Sequence, residues 1–136
     1  MQIKRGEIWY IEPTWKEKGD EMVGNHPGVV VSNDDENGRG HTFEVVFLTT
    51  KPQDPERPSD VRMRSSGREA TALCHQVTSV SEERFTSLLG RASEEEMRRI
   101  EVGMMIALGL EHKDEEDPVE MIRRAFELVE KVRAVL

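Results

Sequence analysis

The hydrophobic period of this 136-residue chain changes once, at about residue 90, so no single type of regular element can satisfy both halves. Before the change, β-branched and apolar runs at Glu7–Ile11, Gly28–Ser32, Phe43–Thr50, Val61–Arg64 and Thr71–Val80 have the composition of strands. After it, Met97, Ile100, Met104 and Leu108 recur at the spacing of one helix face. The pattern predicts a protein that is mainly β with α, its helices gathered at the C-terminal end.

Punctuation sets the layout. Pro13 stops the first strand, and residues 13–27 form a long loop with no period, rich in Lys, Glu and Gly. Asn33-Asp34-Asp35-Glu36-Asn37-Gly38 reads as a turn, Pro52, Pro55 and Pro58 make 51–59 an extended linker, and Ser65-Ser66-Gly67 is a second turn. Short strands spaced this closely predict a small, strongly bent antiparallel barrel. Ser93 and Glu96 stand as N-cap and N3 of a capping box, with Gly109 as C-cap and Gly103 as a point of weakness or close packing. Asp117-Pro118 starts another helix, whose Val119, Ile122, Phe126, Val129, Val132 and Leu136 form an apolar stripe. That stripe is expected to dock on the preceding helix or on a dimer mate. Two units result: residues 1–110, and an acidic linker with an amphipathic C-terminal helix over 111–136.

Composition narrows the chemistry. The single cysteine, Cys74, cannot form an intrachain disulfide, and neither CxxC nor HxxxH spacing offers a metal site, so no metal or cofactor is expected. Met1 opens onto charged and polar residues and no apolar run approaches a membrane span, which predicts a cytoplasmic protein off the membrane. A net charge of −8 argues against broad electrostatic binding to nucleic acid and leaves room for a local basic groove. Arg57, Arg62, Arg64 and Arg68 make the densest basic segment. There Arg62 and Arg64 either contact phosphate or lie on a solvated face balanced by Asp60 and Glu69.

Four segments carry a family resemblance: Ile3-Lys4-Arg5-Gly6-Glu7-Ile8-Trp9-Tyr10, Gly24-Asn25-His26-Pro27-Gly28-Val29-Val30-Val31-Ser32-Asn33, Glu44-Val45-Val46-Phe47-Leu48-Thr49-Thr50 and Thr71-Ala72-Leu73-Cys74-His75-Gln76-Val77. Over about residues 3–110 the chain resembles the PemK/MazF toxin endoribonucleases. The resemblance implies an SH3-like barrel with a C-terminal helix, acting as a homodimer that cuts single-stranded RNA without metal. It implies attack by the ribose 2′-hydroxyl, leaving a 2′,3′-cyclic phosphate and a 5′-hydroxyl, and neutralisation by a cognate antitoxin. Such a reaction needs a proton acceptor, a cation or donor for the phosphorane charge, and a donor for the leaving oxygen.

The family's arginine before the Pro of the second strand is here His26. Imidazole gives up the permanent charge and bidentate fork of a guanidinium but exchanges protons near neutral pH. The family's catalytic threonine maps onto Thr50, with Thr49 beside it; strand alternation lets only one of the pair face the site unless the strand end bulges. His75 stands where many members have an acidic residue, which makes a His26–His75 acid–base pair conceivable. Gln76, Thr49, Arg62, Arg64 and Trp15 are the expected RNA contacts, Trp15 by stacking on a splayed base. Trp9 is expected in the core, as is Cys74.

Three functions compete. The first is a sequence-selective endoribonuclease toxin. The second is a relative that keeps RNA or antitoxin binding and loses cleavage through His26. The third is a gyrase-poisoning toxin of the same fold; that action is associated with a Trp near the C-terminus, and this chain ends Val132-Arg133-Ala134-Val135-Leu136.

Overall fold

A computed structural model describes residues 2–13, 26–110 and 117–135. Among these residues, six strands form one sheet: β1 (Glu7–Ile11), β2 (His26–Val30), β3 (Thr42–Thr49), β4 (Asp60–Met63), β5 (Ala70–Ser81) and β6 (Phe85–Arg91). Their order is β4-β5-β3-β2-β1-β6, and every neighbouring pair is antiparallel. Three helices accompany them: α1 (Asp34–Asn37), α2 (Glu94–Leu108) and α3 (Pro118–Val135).

The expected bend is present, and its cause is local. β5 pairs with both β3 and β4, and its ladder with β3 slips register between Val46 and Leu48, where an irregular step lets the strand turn. The curl carries the β4–β5 turn over β6, so closely that a Cβ on Gly90 would lie 2.5 Å from the Ser65 carbonyl oxygen. β4 and β6 end the sheet without pairing to each other, so the barrel is bent but has no hydrogen-bonded closure.

Strand alternation serves two cores. Ile8, Val29, Val46, Leu48, Ala72 and Cys74 face α2 and pack with Ile100, whereas Trp9, Ile11, Val30, Val45, Phe47 and Phe85 fill the opposite side. Trp9 is buried there, edge-on to Phe85 at 6.0 Å between ring centroids. α2 approaches the sheet at Gly103, where a Cβ would lie 2.6 Å from the Ser59 carbonyl oxygen and 2.7 Å from Cys74 Sγ. Close packing is therefore the role of the glycine inside this helix.

Three features differ from the sequence expectation. The Asn33–Gly38 turn is a one-turn helix, α1, because the Asn33 side chain accepts from Glu36 N and caps it. β6 is an additional strand; only Phe85 among its residues is buried, so an edge strand of this kind leaves no alternating signal. α3 forms as expected but buries none of its residues, and its stripe does not dock on α2.

The capping box is complete, with Ser93 Oγ accepting from Glu96 N at 3.1 Å and Glu96 Oε1 accepting from Ser93 N at 2.9 Å. Glu96 also accepts from Ser65 Oγ and, at 2.8 Å, from Arg64 N. Burial alone would raise its pKa, but the hydrogen bonds from Ser65, Ser93 and Arg64 together hold it at about 2. A carboxylate depressed from 4.5 stabilises the fold above that pH and loses its contribution as pH falls toward 2. Glu96→Gln should accordingly cost about 1–3 kcal/mol at neutral pH. Urea unfolding should find that gap narrowing steadily below pH 4.5; a gap that stays constant down to about pH 2.5 would contradict this role for Glu96.

Candidate active site

The sheet opens at one end into a cleft of about 510 Å³, built where several strands stop or start. His26, the first residue of β2, enters from one wall; it pairs with Ile11 in the β1 ladder, which fixes its backbone. Behind it, a Cβ on Gly28 would lie 2.7 Å from Ile11 Cδ1, so a side chain there would require the Ile11 side chain to shift. Thr49 and Thr50 enter from the wall opposite in sequence, at the end of β3. Both line the cleft, since β3 ends at Thr49 and releases Thr50 from strand alternation. Thr49 Oγ1 accepts from Lys51 N at 3.1 Å and stabilises that change of direction.

The cleft also holds two cations that sequence reading left out of the site, Lys51 and Arg68. Arg68 follows Gly67, whose φ of +101° turns the chain sharply before β5. Neither cation is engaged in an ion pair among the described residues. Arg68 stood out in the sequence only as one of four clustered arginines. Its place beside the threonines follows from the pairing of Thr49 with Thr71, which puts the residues just before β5 next to those just after β3. Tyr10, about one-third exposed, and Leu89 complete an apolar rim on which a base can stack.

The other expected site residues lie elsewhere. His75 does not line the cleft, so the structure does not bring the two histidines together there. It is half-buried, and its Nδ1 stands 3.9 Å from Oδ1 of Asp60, too far for a hydrogen bond; each of these atoms is buried without a hydrogen-bond partner. Gln76 Nε2 donates to His75 Nε2 at 3.2 Å, which places the imidazole proton on Nδ1, toward Asp60. Burial, and then the Arg57 charge, lower the His75 pKa against the pull of Asp60. Arg62, exposed on β4, pairs with Glu56 at 3.0 Å, and Arg64, just past the end of that strand, approaches Glu69 at 3.9 Å. Trp15 lies outside the described residues. Cys74 is a fully buried core residue whose thiol is pushed up to about 12, by burial first and Asp60 second. Among the described residues, no three His, Cys, Asp or Glu side chains are grouped as metal ligands.

An imidazole, two hydroxyls and two cations that make no ion pair among the described residues surround one open cleft. Among solved structures, an endoribonuclease from Mycobacterial species, crystallised with its cognate antitoxin, aligns with a TM-score of 0.68 at 20% identity, covering 81% of this chain and 98% of that one. MazF from Deinococcus radiodurans aligns at 0.69 with 18% identity over 80% of this chain and 98% of that one. A chain of the MazE-MazF structure from the same organism aligns with a TM-score of 0.64 at 17% identity, covering 80% of this chain and 97% of that one. These likenesses establish the fold, and α3 lies beyond the segment that carries the family pattern. Residues 4–108 match the PemK-like, MazF-like toxins of type II toxin-antitoxin systems, and the chain belongs to that family.

Proposed function

We propose that this protein is the endoribonuclease toxin of a toxin–antitoxin pair, cutting single-stranded RNA in the cleft between His26 and Thr50. The observation that supports this reading most is the convergence of His26, Thr49, Thr50, Lys51 and Arg68 on one cavity at the sheet's end. His26 accepts the proton of the ribose 2′-hydroxyl as that oxygen attacks phosphorus. Arg68 and Lys51 offset the charge of the phosphorane, which compensates for the guanidinium that position 26 lacks. The Thr50 hydroxyl donates to a phosphate oxygen. The P–O5′ bond breaks as the leaving O5′ takes a proton from solvent water, giving a 2′,3′-cyclic phosphate and a 5′-hydroxyl without need of a metal, and His26 returns its acquired proton to solvent.

His75 and Gln76 enter the proposal as flanking RNA contacts rather than as the second half of an acid–base pair, and Arg62 and Arg64 as peripheral phosphate contacts. Tyr10 and Trp15 serve as stacking platforms. The antitoxin partner is supported by the antitoxin-bound mycobacterial endoribonuclease and the MazE-MazF complex. A homodimer joined through the family domain, working in the cytoplasm, completes the reading. A relative disabled by His26 is the alternative, and cleavage assays decide between them.

Arg68→Ala and Thr50→Ala should each lower the single-turnover cleavage rate by about 10²–10³-fold. Both residues are exposed, so their variants should keep wild-type stability within about 0.5 kcal/mol. Full activity in either would move the site out of this cleft. The wild-type rate should be unaffected by EDTA, and the product ends should migrate as cyclic phosphate until treated with acid. The pH–rate profile should bend between about pH 5 and 8, where imidazole exchanges its proton, and His26→Ala should flatten it. His26→Arg separates the readings further: a loss of rate marks a site adapted to histidine, and a gain of tenfold or more, about 1.4 kcal/mol in barrier, marks a degraded one.

A further inference from the structure

α3 presents a surface for which the described chain provides no cover. Val119, Ile122, Phe126 and Val129 form one seam at alternating three- and four-residue steps, each more than half exposed. Met121, Leu128, Val132 and Val135 form a second seam beside it, again each more than half exposed. At about 100° per residue, the two seams together span an arc of about 200°, half of the helix surface. A helix of this length is marginal in water on propensity alone and depends on packing of its apolar face.

The arc's chemistry selects its occupant. It carries no acid and one base, Arg133, so it suits neither RNA nor an acidic peptide. The polar half closes on itself, with Arg123 held by Glu120 and Glu127. Across the whole helix three acids meet four bases, so two copies of α3 can approach without net repulsion of the kind that −8 imposes on the whole chain. Arg123 and Glu130 flank the first seam on the same side, and Ala125 and Val132 flank it on the other. In an antiparallel pair like flanks meet: Arg123 faces Glu130 of the second copy twice over, and the apolar flanks meet each other. In a parallel pair unlike flanks meet, and both charges would face apolar side chains.

We infer that α3 is a self-association element, in which the α3 helices of two copies pack antiparallel along Val119, Ile122, Phe126 and Val129. The inference goes beyond the RNA-cleavage reading and does not rest on it. In that pairing the four large side chains of the first seam, each more than half exposed in the single chain, become the buried core of the helix pair, with the second seam bordering it.

Sedimentation velocity on the full chain tests it with the double variant Ile122→Glu/Phe126→Glu. The α3 pair either tightens the dimer proposed for the family domain or joins two such dimers, and in both cases the wild type should associate through it and the variant's dissociation constant for that step should rise at least tenfold. Because the lone Cys74 is fully buried, nitroxide labels can be placed on Glu127→Cys and Glu120→Cys in otherwise wild-type protein. An antiparallel pair gives a short, narrow interspin distance at residue 127, near the helix midpoint, and a longer one at residue 120. Equal distances at both sites would mean a parallel pair and overturn the geometry. A wild type that stays monomeric, or no defined distance at residue 127, would overturn self-association. So would a double variant that loses melting temperature while associating like wild type, which is the signature of docking within one chain.

Discussion

A single buried carboxylate, Glu96, joins the two halves of the molecule. It completes the cap of α2 on one side and accepts hydrogen bonds from Arg64 N and Ser65 Oγ on the other. The turn it grips continues through Ser66 and Gly67 to Arg68, a wall of the cleft. The same turn lies against β6 at Gly90, so the position of the edge strand depends on it as well. Removing one acceptor from such a network leaves several donors buried without partners, which is why its cost exceeds that of an exposed ion pair.

The site owes its composition to strand ends. A sheet whose two faces are both filled by Val, Ile, Leu and Phe has no room for polar chemistry along its length. Polar side chains gather where strands stop: His26 at the start of β2, Thr49 and Thr50 at the end of β3, Arg68 just before β5. Acidity spread through the chain does not prevent local cation density, because screening confines each surface charge to about 8–10 Å. Among the described residues Lys51 and Arg68 stand clear of ion pairs, whereas Arg62 and Arg64, more conspicuous in the sequence, are balanced by Glu56 and Glu69.

Much of this was legible in the order of residues. The first five strands have β-branched alternation or apolar continuity, and the Ser93–Glu96 box and Asp117-Pro118 mark helix starts by the chemistry of unsatisfied N–H groups. β6 was not legible, because an edge strand with one buried side chain leaves Leu88 and Leu89 in solvent. α1 hid behind residues that serve turns and caps equally well. Arg68 and Lys51 escaped the site reading because their proximity to Thr50 depends on the β3–β5 register, a long-range property. His75 pointed toward the site by its place in a motif, yet its imidazole turns to Asp60, a partner that belongs to a different strand.

The tight contact at Gly28 has an evolutionary reading. Because Gly28 adds no side chain beside Ile11, and His26 pairs with Ile11 in the β1 ladder, the backbone at position 26 is held whatever that position carries. His26 is half-buried at a cleft mouth and belongs to neither core. Exchange of one side chain for another there alters the chemistry offered to the cleft without touching the architecture. A lineage can therefore sample imidazole and guanidinium chemistry by single substitutions, each tested on an intact fold, while compensating cations are recruited from turns as free to vary as the one that carries Arg68.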